Sequence, residues 1–507
     1  MSDKQRELFR PYTEPSEFER IKEYDNAVLM WQDVIANFKD DLAIVDNGNE
    51  YKYSDIDNDI SYYREVLKRN GLEKGDRVGV FAKNSYDLVK MYLAIITYGC
   101  CAAILPAHLD EKTVFGVTQM FGLKALCYAP DMEEKLNVIK SVNPAFKLLS
   151  SLEQGASQVE MCSSLSKKDE AVIMFTGGTT GRSKGALLSH GALMQGTTNG
   201  CYGVWNIFHQ RYILILPLSH VFGLVRNLMT SLFTGSALYI CRNNKDMFKD
   251  IAIFKPTIIV LVPAVAEMAL NLSKNFKKNM LGDSLKYIIC GAAKVAPYLI
   301  EEYQKIGITL LAGYGLTESA NLVSGNPESL KKPDSVGIPY PHQEFKVMND
   351  ELWIKGENMM EGYVGIPGAN EEAYEDGWFK TGDLVRFDED GYLYITGRCK
   401  EIIVLPTGEN VSPAEVESYF NALNLVQDSQ IYEDVDEAGH HFLALEVVPR
   451  MTEMAKLEVE DKIAYLIKEL QKINETLAPF ERASKIIIRD KDFERTPAMK
   501  IVRYHKC

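Results

Sequence analysis

The sequence predicts an α/β protein: a large N-terminal domain of layered α/β subdomains plus a β subdomain, followed by a small α+β domain. Three observations predict it. Short apolar runs at 77–81, 100–105, 211–216, 256–263, 285–290 and 308–312 alternate with helical patterns, as in sheets covered by helices. From residue 345 the pattern turns to short strands, such as Glu351-Leu-Trp-Ile-Lys355. From Ser412 onward a helix, a hairpin, a charged helix and a last strand form a set of their own. The domains are therefore placed at 1–398 and 399–507.

A chain of 507 residues has room for about three domain-sized units. Its 46% hydrophobic and 25% charged residues are ordinary for a soluble globular protein. The formal net charge of −14 argues against a nucleic-acid surface and against anionic membranes. Any polyphosphate site must then build its own positive field. Nine cysteines, an odd number with no C-x-x-C, argue against a disulfide framework or zinc site and for a reducing, cytoplasmic setting. The polar start Met1-Ser-Asp-Lys-Gln lacks a signal-peptide pattern. The uncharged stretch 91–107 is short for a membrane span and contains Gly99 and Pro106, so it reads as a helix end, a glycine stop and a buried strand.

Taken in order, the pattern predicts a helix over 27–38, a helix over 53–70 capped at Ser54, a turn and strand over 75–81, a helix over 85–98 and a strand over 100–105. A further unit passes through 122–128. After 285–290 a helix runs to residue 306. Asp390-Gly391 is a hairpin turn signal. Ser412-Pro-Ala-Glu415 predicts a capping box with proline at the first helical position. A helix to 422, a hairpin turning near 437–441 with His440 and His441 in an exposed turn, a helix over 457–477 and a strand over 485–489 complete the chain.

The chemistry centres on residues 175–186, FTGGTTGRSKGA, between two apolar strands. Gly177, Gly178 and Gly181 let the backbone approach a ligand closely and turn its N–H groups inward. Thr176, Thr179, Thr180 and Ser183 add hydroxyls, and Arg182 and Lys184 add positive charge, which together suit a polyphosphate. The spacing is not that of a P-loop, and the loop returns to a strand instead of opening a helix. His220, in Pro217-Leu-Ser-His-Val-Phe-Gly223, falls at the C-terminal end of a strand, where open α/β sheets bind ligands. Gly291-Ala292-Ala293-Lys294 either lets a flat ligand lie on the backbone or serves close helix packing. Tyr314, Gly315, Thr317 and Glu318 emerge together from another strand end: an aromatic for a base, a hydroxyl for a phosphate and a carboxylate for Mg²⁺. Asp383 and Arg398 meet across the predicted hairpin, as a ribose-diol site or an ordinary salt bridge. Lys500 is one of several basic residues near the C-terminus.

These segments, in this order over roughly 50–503, resemble the adenylate-forming superfamily of acyl-CoA synthetases, peptide-synthetase adenylation domains and luciferases. The resemblance implies that 175–186 is the phosphate loop, that 217–223 lines the acyl site with His220, and that Gly291, Ala292, Ala293, Tyr314 and Gly315 flank adenine. It further implies that Glu318 binds Mg²⁺, that Asp383 and Arg398 hold ribose, that Lys400 is a hinge and that Lys500 is the catalytic lysine of a small mobile α+β C-terminal domain. In the implied reaction a carboxylate attacks the α-phosphate of MgATP, giving an acyl-adenylate and pyrophosphate. A thiol then takes the acyl group and releases AMP. Thr317, Lys184 and Lys500 would neutralise charge on the phosphates.

The chain departs from the family pattern at three places. Ser183 stands where proline is common before the loop lysine, and Met499 where glycine often precedes the last one. Val221 stands where amino-acid-activating relatives carry an aspartate, which speaks for a plain carboxylic acid. Phe222, Met229, Val262, Ala293 and Gly315 predict an apolar pocket for a fatty or aryl acid. Coenzyme A is the expected thiol, and a separate acyl carrier protein the alternative. A nucleotide-binding relative that no longer ligates would have lost Lys500, Glu318 or Asp383, and all three are present.

Overall fold

The strand Arg77–Phe81 lies parallel to Cys101–Leu105 on one side and to Ala125–Tyr128 on the other. This is the centre of the first sheet in the computed structural model, which describes residues 2–176, 184–405, 410–435, 441–495 and 501–503. Among these, the sheet runs in the order Gly362–Val364, Lys184–Ser189, Glu170–Thr176, Cys101–Leu105, Arg77–Phe81, Ala125–Tyr128, Lys147–Ser150. Every residue of Cys101–Leu105 is buried, as the continuous apolar run of a parallel strand covered on both faces requires. The preceding helix Tyr86–Tyr98 starts where Ser85 Oγ accepts from the Leu88 amide and stops where Gly99 takes φ +96°. The uncharged stretch is therefore domain core. No helix among the described residues is long and apolar enough to cross a membrane.

A second sheet has the order Ile338–Pro339, Ser324–Gly325, Thr309–Tyr314, Tyr287–Cys290, Ile258–Leu261, Arg211–Leu214, Ala237–Ile240, Leu42–Asp46, Asn49–Lys52. Its strands are parallel from Thr309–Tyr314 through Leu42–Asp46. The carboxyl ends of Arg211–Leu214, Tyr287–Cys290 and Thr309–Tyr314 thus share one edge, and three of the predicted motifs begin there. Ile213, Ile259, Ile288, Leu310 and Leu299 form its core against the covering helices.

The chain divides into two compact units, 1–344 with 355–378, and 345–354 with 379–507. In the second, Glu351 pairs with Leu384 and Val385 with Ile395, so the strands Glu351–Gly356, Trp378–Phe387 and Leu393–Arg398 form an antiparallel meander. The strands Val426–Val435, His441–Pro449 and Lys485–Ile488 pack under the helices Pro413–Asn421 and Lys462–Thr476 around Phe420, Ile431, Leu445 and Leu466.

Several local expectations are corrected. The helix Tyr53–Arg69 begins one residue before Ser54; the Asp55 carboxylate accepts from the Lys52 amide at 2.8 Å and closes its first turn. Ser412 precedes the helix Pro413–Asn421 but its side chain makes no cap; the hydroxyl is turned toward the Thr396 carbonyl, to which it donates at 2.9 Å. The charged helix is shorter than 457–477 because Asp461 caps it at Lys462. His441 opens a strand and pairs with Glu433 at 2.8 Å, while His440 lies outside the described residues. The described cysteines are all free, and no cluster among the described residues has a metal-binding set of His, Cys, Asp or Glu.

Candidate active site

The strands flanking the Gly/Thr segment form an antiparallel pair that ends with Thr176 opposite Lys184. Thr176 is buried. Gly177, Gly178, Thr179, Thr180, Gly181, Arg182 and Ser183 lie outside the described residues. Gly362–Val364 adds to the outer side of the Lys184 strand with Tyr363 opposite Ala186. Lys184 Nζ lies 4.6 Å from the centre of the Tyr363 ring, a cation–π contact. The Tyr363 hydroxyl donates to Glu318 Oε1 at 2.6 Å. Burial and the adjacent carboxylate push that phenol well above its ordinary pKa, so it remains a donor.

Glu318 belongs to a single 3-10 turn, Thr317–Ser319. The Ser319 hydroxyl closes the turn by accepting from the Leu316 amide at 3.1 Å. The chain then reverses through Ala320 and Asn321, both in the left-handed region. Gly315 is required here: a Cβ would fall 1.2 Å from the Asn321 carbonyl oxygen. Asn358 donates to the carbonyls of Ser319 at 2.8 Å and Leu322 at 2.9 Å, and the Met360 amide donates to the Glu318 carbonyl at 2.7 Å. The 358–363 segment thus fixes both the backbone and the side chain of Glu318. No local pattern marked Tyr363 or Asn358 as part of the site.

Gly291 and Gly313 stand at the ends of neighbouring parallel strands, paired as Cys290 with Ala312. A Cβ on Gly291 would lie 3.2 Å from the Gly313 carbonyl and 3.6 Å from the Phe222 ring. Ala292 has φ +67°, a left-handed conformation that turns the chain sharply off the strand end and leaves Ala293 and Lys294 exposed. Tyr314, at the adjacent strand end, and Thr317, in the turn that follows it, are half-buried. His220 is exposed, and its carbonyl accepts from the Leu224 amide at 2.9 Å. Asn84 braces the preceding loop: its side chain donates to the Leu216 carbonyl and accepts from the Leu218 amide, each at 2.9 Å. After His220 the chain enters a π-helix, Phe222–Met229, a rare geometry that concentrates at functional sites.

In the second unit, Asp383 sits directly across from Arg398, and Arg398 Nε meets its Oδ1 at 2.8 Å. Asp383 is buried while the Arg398 side chain is 44% exposed, so the pair offers one face outward. Thr381 and Glu351 shape the turn before it, accepting from the Asp383 and Gly382 amides. Lys400 falls in the short 3-10 turn Cys399–Glu401. Lys500 lies outside the described residues. The chain just beyond it is anchored: both Arg503 Nη atoms donate to the two Glu417 oxygens at 2.7 Å, and Nε reaches Glu401 at 3.1 Å.

A Gly/Thr segment between strands, a braced carboxylate and small-residue strand ends on one sheet edge are the parts of a nucleotide-binding enzyme of the adenylate-forming class. The chain belongs to the AMP-binding enzyme family, which it matches over residues 31–364. It is 28% identical to 4-coumarate–CoA ligase-like 6 of Arabidopsis thaliana over 480 residues, covering 85% of this chain and 81% of that protein. It is likewise 28% identical to a long-chain-fatty-acid–CoA ligase of Escherichia coli over 455 residues, 78% of this chain and 80% of that one. Its fold matches an anthranilate–CoA ligase in complex with anthranoyl-AMP with a TM-score of 0.82 at 20% identity, over 95% of this chain and 96% of that chain. It also matches the o-succinylbenzoate–CoA synthetase of Bacillus subtilis in complex with ATP and magnesium, with a TM-score of 0.77 at 21% identity, over 95% and 98% of the two chains.

Proposed function

We propose that the protein is an AMP-forming acid–CoA ligase: it joins a carboxylic acid to ATP as an acyl-adenylate, releases pyrophosphate, and passes the acyl group to coenzyme A. The observation that carries this reading is the Tyr363–Glu318 hydrogen bond, with Lys184 on the same ring. It ties a carboxylate and the lysine that follows the Gly/Thr segment in sequence to one aromatic ring, and a carboxylate and a lysine are what a magnesium polyphosphate needs. The carboxylate substrate is itself a nucleophile, so no activating base is required. The work left to the protein is positioning and charge neutralisation.

In this reading Thr176 and the 177–181 backbone, with Lys184, hold the β- and γ-phosphates, and Thr317 bonds a phosphate oxygen. Bound at Glu318, Mg²⁺ would supply charge neutralisation on the phosphates. Gly291, Ala292, Ala293, Tyr314 and Gly315 form the adenine site, Asp383 and Arg398 hold the ribose, and His220 lines the acyl entrance. Lys500, carried by a mobile C-terminal domain that turns about Lys400, stabilises the first transition state and then withdraws for the thiol step. The apolar neighbourhood of Phe222, Met229 and Val262 suits an acid with an apolar body, fatty or aryl. Coenzyme A is preferred to a carrier protein because the relatives described above are named as CoA ligases. Free buried thiols and the acidic net charge suit a cytoplasmic enzyme.

The test is carboxylate-dependent ATP–pyrophosphate exchange across a panel of fatty, aryl and dicarboxylic acids, with products resolved as AMP or ADP. Exchange with AMP formation is expected. No exchange with any acid, or formation of ADP, would overturn the ligase reading.

A further inference from the structure

Arg226 is 2% exposed, and its Nη1 has no hydrogen-bond partner among the described residues. No carboxylate among the described residues forms an ion pair with it either. The groups that feel its charge are Tyr212 on the Arg211–Leu214 strand, Tyr340 and Cys201, all buried and all neutral in their ordinary forms. The buried Tyr212 hydroxyl faces the guanidinium and meets no carboxylate or carbonyl among the described residues. The phenol oxygen beside the guanidinium can accept from it, but it is neutral, so no anion among the described residues balances the charge. Isolated buried cations are strongly unfavourable, and proteins that keep one normally supply an anion.

The position of Arg226 indicates where that anion comes from. Arg226 lies on the π-helix Phe222–Met229, which begins just after His220. The Phe222 ring rests beside Gly291, on the sheet edge where the candidate site is built. Arg226 follows four residues later, about one helical turn further from that edge. Tyr340 is held beside the same sheet: its amide donates to the Val323 carbonyl, and its hydroxyl occupies the space a Cβ on Gly325 would need. An apolar wall that starts at the reaction centre thus ends on a buried, uncompensated cation.

We infer that Arg226 closes the far end of the acyl site and pairs with a second carboxylate, so that the substrate is a dicarboxylic acid with an apolar body. One carboxylate is adenylated, and the other stays ionised in a two-pronged contact with the guanidinium, with the Tyr212 hydroxyl as a further donor. This rests on the acid–CoA ligase reading and narrows its substrate class. It also gives the π-helix a purpose, since the wide turn carries Arg226 inward within the same element that presents Phe222.

The experiment is pyrophosphate exchange by the full-length protein with matched series of aliphatic and aryl acids: monocarboxylic acids, dicarboxylic acids of equal length, and the monomethyl esters of those diacids. The diacids should exceed both other series at least tenfold in kcat/KM. Arg226→Met should collapse the diacid-to-monoacid ratio toward one, and Arg226→Lys should retain part of it. Arg226→Met should melt no lower than the parent, because it removes an uncompensated buried charge. Monoacids used as well as diacids, or a ratio unmoved in Arg226→Met, would overturn the inference while leaving the ligase reading intact. A large loss of thermal stability in Arg226→Met would also overturn it, marking the arginine as a structural support. No exchange with any acid would overturn the ligase reading itself and this inference with it.

Discussion

Tyr363 and Glu318, 45 residues apart in sequence, meet through a 2.6 Å hydrogen bond in which the phenol donates to the carboxylate. The same ring carries Lys184 at 4.6 Å from its centre. One aromatic thus sets the spacing between the proposed metal-binding carboxylate and the lysine proposed to neutralise phosphate.

Tyr363→Phe keeps the ring under Lys184 and removes the hydrogen bond. Glu318 then loses the donor that orients it, at a cost of about 1.5–3 kcal/mol for a bond to a charged group. The expected result is a roughly tenfold or greater fall in kcat/KM for MgATP, with a higher Mg²⁺ concentration needed for half-maximal exchange. An unchanged Mg²⁺ dependence would remove Tyr363 from the metal site.

Lys500→Ala should cut the adenylation rate by about 10²–10³, the usual loss for one preorganised charge donor. Thioester formation from supplied acyl-adenylate should survive. Single-turnover measurements of the two half-reactions separate these outcomes, and equal loss in both would contradict domain alternation.

Asp383→Ala should weaken ATP binding by about 1.5–3 kcal/mol, measured by calorimetry, through loss of charged hydrogen bonds to the ribose. Arg398→Ala makes a useful contrast, because it leaves a buried carboxylate without its 2.8 Å partner. That variant should also be the less stable of the two. Unchanged ATP affinity in Asp383→Ala would leave the pair as an ordinary salt bridge.

Arg503→Met strands the Glu417 carboxylate, which burial pushes to a higher pKa and the guanidinium holds in its charged form. The second unit should lose about 3 kcal/mol, the scale for removing one partner of a buried pair. Adenylation should fall with it, since Arg503 anchors the chain three residues beyond Lys500. Adding Glu417→Leu should restore much of the stability, and a double variant no more stable than the single one would refute this account.

Stability should fall in mild acid because of His190. This imidazole is fully buried, its Nδ1 accepting from the Ala27 amide at 3.3 Å, and burial lowers its pKa from 6.5 to about 4. Between those values the unfolded chain binds the proton and the folded chain does not. The contribution is therefore complete above pH 6.5 and is lost as pH falls toward 4, by about 3 kcal/mol in all. Denaturant titrations of His190→Gln should show a flatter acid limb over that interval, and an unchanged limb would assign the acid sensitivity elsewhere.

The features legible in the sequence are those whose causes are local. The helix Ala27–Phe38 follows Asn26, whose side chain accepts from the Leu29 amide, and Ser85 and Gly99 bound Tyr86–Tyr98 in the same way. Asp383 and Arg398 could be paired in advance because the turn at Asp390-Gly391 sets the register of the hairpin between them. Local reasoning failed where a distant strand offered a hydroxyl another partner: Ser412 turns to donate to the Thr396 carbonyl and accepts no amide of its helix.

The sequence by itself determined the alternation of strands and helices, the Gly/Thr segment and the order of the motifs, because period, turn chemistry and capping act over a few residues. Tertiary structure alone decided that Tyr363 reaches Glu318, since that contact depends on Gly362–Val364 joining the edge of a distant sheet. It also decided that Arg226, one cation in an apolar run, is buried with no counter-charge among the described residues. Burial depends on every element packed around a side chain, and no local stretch of sequence contains that information.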